Sequence, residues 1–169
     1  MKRFILIMLA LLVGSLAGFG GATEAQAAKL SGDIAVLNQG ADTSALNKDQ
    51  IKLLQRSLTW MDRDLPKVLK KTGLKPTLIK AEKDFSGGDS LLLKLTVTDH
   101  KMIPRGARFL GGMMAGADRL SVHYELIDKS GKTVLTWDDS QSSTRGGTYC
   151  AKTLNRNAVK KIVEHLNAD

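Results

Sequence analysis

The sequence predicts an α+β domain: a mostly antiparallel sheet of about five strands with two main helices packed on one face, in the order β-α-β-β-β-β-α. Three observations predict it. Apolar residues recur every three or four positions around Ile51–Leu69 and again around Ala151–Leu166, the period of a helix with one buried side. Before and between these segments lie short apolar runs or two-residue alternations bounded by glycine, the pattern of strands. Two amphipathic helices and a sheet with one wet side bury their apolar stripes most economically when both helices share one sheet face.

Gly32–Gly40, reading GDIAVLNQG, is an apolar run closed by glycines and is expected as the first strand. Next, Ile51, Leu54, Leu58, Met61, Leu65 and Leu69 form one helical face. Asn47 suits the N-cap, and Gln50 three residues on completes a capping box. Pro66 is expected either to kink one long helix or to open a second helix capped by Asp64. Gly73, followed by Pro76, ends the helical segment. Thr77–Lys83 is expected as the second strand, and Ser86–Ser90 as a turn.

From Leu91, Leu93, Leu95 and Val97 share one face and Lys94, Thr96 and Thr98 the other, so this strand has a wet side. Leu120, Val122, Tyr124 and Leu126 alternate with Ser121, His123 and Glu125. Asp128–Gly131 then supplies a hairpin turn whose Gly131 accepts a positive φ. Val134, Leu135 and Trp137 form the returning arm, Asp138-Asp139 reads as a turn, and Gln141–Tyr149 as a polar, glycine-bearing loop. In the last helix, Thr148–Leu166, Ala151, Leu154, Ala158, Ile162 and Leu166 face in, while Lys152, Arg156, Lys160 and Lys161 face out.

Residues 1–27 are expected to be a secretory signal peptide. Lys2 and Arg3 make a positive start, Phe4–Val13 an apolar run, and Ala25-Gln26-Ala27 a small-x-small cleavage site. Gly14, Gly18, Gly20 and Gly21 interrupt the run before the roughly 20 apolar residues a span needs. Cleavage after Ala27 leaves 28–169 as a single α+β domain with no transmembrane span, located in the periplasm. No cysteine lies near the cleavage site, so there is no lipobox. Cys150 is the single cysteine, which excludes an internal disulfide. It is expected as a small buried side chain rather than an intermolecular bridge.

The formal charge is +8, and removal of Lys2, Arg3 and Glu24 makes it +7 (8 − 2 + 1). The basic residues are dispersed, without a run of five like charges. For an exported protein no nucleic acid partner is expected. The anions available are lipid headgroups, lipopolysaccharide and acidic polysaccharide, and a solubilising net charge is the simpler reading.

His100, His123 and His165 have no second histidine at ligand spacing and there is no cysteine pair, so no metal site is expected. Asp138 and Asp139 as strand neighbours point to opposite faces. Ser142, Ser143 and Thr144 lack a nucleophile-elbow pattern, and nothing activates Cys150. No enzyme activity and no cofactor is expected.

The stretch RGARFLGGMMAGADRL, Arg105–Leu120, is the most distinctive. No lysine follows its glycines, and Gly111, Gly112 and Gly116 do not make a dinucleotide fingerprint, so nucleotide binding is excluded. Nine uncharged residues, Phe109–Ala117, are too few to span a bilayer. Gly112 with Gly116, and Ala107 with Gly111 and Ala115, form small-residue rows suited to close packing. Two readings stand side by side. The stretch is a crossover folded over its own sheet, or Phe109, Leu110, Met113 and Met114 form an exposed apolar patch beside Arg105 and Arg108.

From Ser90 to Ser140 the chain resembles the bacterial family known as domain of unknown function 4410. Arg108, Phe109, Gly112, Ala115, Gly116 and Ala117 fall in that family's glycine segment. Leu120, Val122, Tyr124, Leu126 and Asp128 follow its strand pattern, and Gly131-Lys132 its turn. The chain departs from the family in lacking the lipobox cysteine and in holding Met113-Met114 inside the glycine segment. The resemblance brings no catalytic residues.

The expected function is a non-enzymatic binding or assembly role at the cell envelope. Arg105, Arg108, Phe109, Met113 and Met114 form the candidate interface, with Gly111, Gly112 and Gly116 as structural small residues. The partner is an envelope protein or an anionic envelope component. The alternatives are a periplasmic hydrolase with a site near His123, Asp138 and Asp139, and a homo-oligomeric envelope component assembled through the small-residue rows.

Overall fold

The computed structural model describes residues 32–104, 106, 107, 109 and 116–168. The expected signal segment therefore lies outside the described residues. The elements are β1 (Gly32–Ala41), α1 (Lys48–Lys71), β2 (Leu74–Ile79), β3 (Leu91–Lys101), β4 (Asp118–Ile127), β5 (Thr133–Ser143) and α2 (Gly147–Leu166), with a short 3-10 turn at Glu82–Asp84. The strands form one sheet in the order β2-β1-β3-β4-β5. Both helices pack on the same face, as the apolar stripes require.

The α1 helix starts where the capping chemistry places it. Gln50 N–H donates to Asn47 Oδ1 at 2.9 Å, and Asn47 N–H donates to Gln50 Oε1 at 3.1 Å. Pro66 does not divide the segment: all 24 residues from Lys48 to Lys71 form one helix. The helix, roughly 36 Å long, carries the chain back so that β2 starts at the end where β1 started. The pairings β1–β2 and β1–β3 are therefore parallel, and β3–β4 and β4–β5 antiparallel. The sheet is mixed in this respect, a detail that side-chain alternation does not carry.

Two strand boundaries differ from expectation. β2 begins at Leu74, three residues early, because Gly73 at φ 101° turns the chain straight from helix to strand. Pro76 fits there because β2 is an edge strand and needs fewer donors. Lys80–Lys83 leave the sheet for the 3-10 turn. At the other edge, β5 runs on through Asp138 and Asp139 to Ser143, where a turn and loop were expected. Cross-strand and helix partners hold these polar residues extended. Asp138 lies opposite His123 and Ser140 opposite Ser121, and Asp139 accepts from Asn157 of α2 at 2.8 Å.

The main core lies between sheet and helices. Ile34, Val36, Leu93, Leu95, Leu120, Val122, Tyr124, Leu126 and Trp137 meet Leu54, Met61, Leu65, Leu69, Leu154, Ala158 and Ile162. Tyr124 and Trp137 stack with ring centroids 4.8 Å apart, and Lys161 Nζ sits 5.7 Å from the Trp137 ring. Asn155, fully buried on α2, donates to Met61 O and to Asp64 Oδ2, both at 3.2 Å, and so ties the helices together. On the opposite sheet face a smaller cluster, Ala35, Leu37, Leu92 and Ile127, is covered by Ile79 and Phe85. The rest of that face, along β3–β5, is open and polar.

Tyr124 is fully buried, and its hydroxyl has no hydrogen-bond partner among the described residues. Burial, reinforced by the charge of Asp139, holds its phenol far above the ordinary tyrosine range. The unfolded chain loses this proton near pH 10 while the folded chain keeps it, so stability present below about pH 10 is lost as the pH rises further. Tyr124→Phe is expected to keep full stability at neutral pH, because no hydrogen bond is broken. It should also lose less stability between about pH 9 and about pH 11 than the native chain, measured by urea unfolding. An equal alkaline loss would show that the phenol ionises in the folded state.

Candidate functional site

The segment between β3 and β4 leaves and returns at one point. Met102 and Ile103 are buried as it departs. Ile103 N–H donates at 2.8 Å to Oδ1 of Asp118, the first residue of β4, whose side chain is inside the protein with 4% of the residue exposed. Cys150 Sγ, buried on α2, lies 3.6 Å from Asp118 O, a weak thiol hydrogen bond. Gly116 takes φ 84°, and a Cβ there would stand 3.7 Å from Ile103 Cδ1. The root of the crossover is thus part of the core. Further out, Gly106 and Ala107 are exposed and Phe109 is 89% exposed. Of the expected interface, Phe109 is seen in the open, and Gly116 sits at the root. Arg105, Arg108, Met113, Met114, Gly111 and Gly112 lie outside the described residues.

The same end of the molecule holds two cavities. One, about 620 Å3, lies along α1 and is lined by Asp49, Lys52, Leu53, Arg56, Thr59 and Pro104. The other, about 380 Å3, is lined by Arg56, Ser57, Met102, Ile103, Arg145 and Gly147, among others. It opens at the start of α2, where Gly146 offers no capping side chain and the first turn has no acid. The first N–H groups of α2 and two guanidinium groups gather at this end, with the Asp118 carboxylate close to Gly146. Arg145 also stacks 5.1 Å from the Tyr149 ring centre. Gly147 makes a close approach: a Cβ there would meet Ser57 Oγ at 2.5 Å and Met102 Sδ at 2.6 Å, so these side chains would have to shift.

The open sheet face carries a second polar arrangement. His123 Nδ1 and Asp138 Oδ1 are 2.8 Å apart, Thr136 Oγ1 lies 3.4 Å from His123 Nε2, and Ser121 and Ser140 hydroxyls share a 2.8 Å hydrogen bond. Asp139 is not with them, since it faces α2. The three residues of the hydrolase alternative therefore do not converge: two meet on an exposed, flat face and the third lies on its other side. Among the described residues no three His, Cys, Asp or Glu side chains gather as a metal site. His100, His123 and His165 lie on β3, β4 and α2, respectively. No described helix is long and apolar enough to cross a membrane.

The sequence model of the family described as "Domain of unknown function (DUF4410)" matches residues 22–147, well over half the chain. The chain belongs to this family. The DUF4410 match runs from before β1 to the first residue of α2, so it includes the whole crossover. Among solved structures, the PelC dodecamer from Paraburkholderia phytofirmans is similar at 16% identity, covering 75% of this chain and 84% of that one with a TM-score of 0.49. The neuraminyllactose-binding hemagglutinin homolog from Helicobacter pylori is similar at 8% identity, covering 82% and 87% with a TM-score of 0.42. Neither likeness bears on ligand or assembly. No curated protein matches this DUF4410 chain.

Sequence reasoning missed Asp118, Arg56 and Arg145. An acid between a glycine segment and an apolar strand resembles any loop-end residue, and its burial is a tertiary fact. The start of α2 was readable in part, because a helix opened by Gly-Gly without a cap leaves donors free.

Two substitutions test the root. Asp118→Ala removes the acceptor for a buried N–H and is expected to cost about 1–3 kcal/mol in urea unfolding. It should also raise the rate of proteolytic cutting between residues 103 and 118. Unchanged stability and cutting would mean that the carboxylate does not hold the crossover. Gly147→Ala, which raises helix propensity, is nevertheless expected to destabilise by about 1–3 kcal/mol through the clash with Ser57 and Met102.

Proposed function

We propose that this chain is an exported, periplasmic, non-enzymatic domain that binds or assembles at the cell envelope through the tip of its crossover. The observation that carries the reading is Phe109, which is 89% exposed on a segment whose root is fixed in the core. A phenylalanine held in water forfeits the gain of burial, and a partner restores it. Phe109 is preceded in sequence by Arg105 and Arg108 and followed by Met113 and Met114. That order suits a partner presenting an apolar pocket with an acidic rim, an envelope protein or a second copy of the chain. The charged, apolar and small-x-small parts of residues 1–27 support export.

Phe109→Asp is the direct test. It should abolish association with the envelope fraction and leave Tm within roughly 2 °C, as exposed positions do. A fall of more than roughly 8 °C would show that the ring is part of the core and would remove the interface. Release of a chain beginning at Ala28 by osmotic shock checks export separately.

A further inference from the structure

The two broad faces of the molecule carry charge differently. On and beside the open sheet face, acids answer the bases. Lys94 pairs with Glu82 at 2.6 Å, Arg119 with Asp99 at 2.7 Å, and His123 meets Asp138 at 2.8 Å. The outer side of the helical layer does the opposite. Lys52, Arg56, Arg63, Lys67 and Lys70 follow one another at helical intervals, so they form a single ridge. That ridge lies opposite the buried Leu54, Met61, Leu65 and Leu69. All five cations are exposed, and none is in an ion pair among the described residues.

Two of the three acids of α1 are tied to partners off this ridge. Asp62 accepts from Asn38 Nδ2 at 2.6 Å, and burial raises its carboxyl above the usual range. Asp64 accepts from Asn155. Asp49, in the first turn, is the one acid of α1 without such a tie. Beside this ridge, α2 presents Lys152, Arg156 and Lys160, with Lys160 3.7 Å from Glu164.

Size then selects the partner. From Lys52 to Lys70 the ridge is about 27 Å long, and packed helix axes lie about 8–10 Å apart. The charges thus cover a plane several times longer than the screening length of about 8 Å. A compact anion touches only part of such a plane, whereas a bilayer surface of anionic headgroups meets all of it. Thr59 fills the middle of the α1 ridge, and the neighbouring Leu53 and Trp60 are half-buried against the core rather than free to insert. Contact should therefore be electrostatic and superficial.

We propose that the helical layer docks flat on an anionic phospholipid bilayer. This goes beyond the partner at the crossover tip and does not depend on it: one face holds the domain to lipid while the tip remains free. The test uses the chain from Ala28 onward, which retains every residue of both core clusters. It is sedimented with vesicles of phosphatidylglycerol and phosphatidylcholine, or of phosphatidylcholine alone. Binding to the mixed vesicles only, weakening steeply with salt, is expected.

The triple variant Arg56→Glu, Arg63→Glu, Lys67→Glu should bind at least about a hundredfold more weakly. The charge-matched variant Lys80→Glu, Lys83→Glu, Lys101→Glu, at exposed positions off the ridge, should retain most of the binding. Circular dichroism of both variants establishes that they fold. If the helical variant does not fold, Arg56→Gln with Arg63→Gln should show a smaller loss of the same kind. Equal losses in both triple variants would reduce the effect to net charge and overturn the proposal. Binding to phosphatidylcholine alone, or equally tight binding to soluble polyglutamate, would overturn it as well.

Discussion

The structure depends on the meeting of the crossover's root with the first turn of α2. A single buried carboxylate, Asp118, begins β4 and receives the N–H of Ile103 as the chain leaves β3. Gly147 lets α2 approach until its backbone touches Ser57 of α1 and Met102 of the crossover. Four parts of the chain meet there, where the Ile103–Asp118 hydrogen bond and the missing side chain of Gly147 bring them together. A buried N–H without an acceptor is costly, and a packed interior has no room for an added methyl group. Both conditions fix where the crossover can start and end. Between those ends, Phe109 is exposed.

Much of the architecture was legible because it is local. Asn47 and Gln50 cap α1 by a pattern confined to four residues, and the inward stripes of both helices follow from spacing alone. The alternation from Leu91 to Val97 and from Leu120 to Leu126 set the core face of the two central strands. What was not legible depends on partners distant in sequence. Asp138 and Asp139 have poor strand propensity, yet His123 and Asn157 lie opposite them and the strand continues. β2 starts early because Gly73 turns the chain there. Parallel pairing of β1 follows from the helix that returns the chain, which no residue of β1 records. At the candidate site, the glycine-rich stretch and Phe109 stood out in the sequence, whereas Asp118, Arg56 and Arg145 become visible only when α1, β4 and α2 are brought together.

The overall charge had a bland explanation in the sequence, because no run of like charges occurs. Folding sorts it. Asp62 and Asp64 of α1 turn to Asn38 and Asn155, while its lysines and arginines remain on the far side from the core. The sheet face retains its acids next to its bases. A modest net charge therefore becomes a directional one, with a basic helical side and a balanced sheet side. Together with an exposed aromatic at one end, this supports the proposal of a domain that acts through its surfaces. Membership of DUF4410 agrees with the fold and brings no catalytic role with it.

The measurement that bears most directly on the account is photo-crosslinking in intact cells, with a photoreactive residue in place of Phe109. A matched chain carries the same residue at Leu78, an apolar position 46% exposed on the edge strand β2. A discrete adduct from position 109 and none from position 78 is expected. No adduct from 109, or the same adducts from both positions, would contradict it.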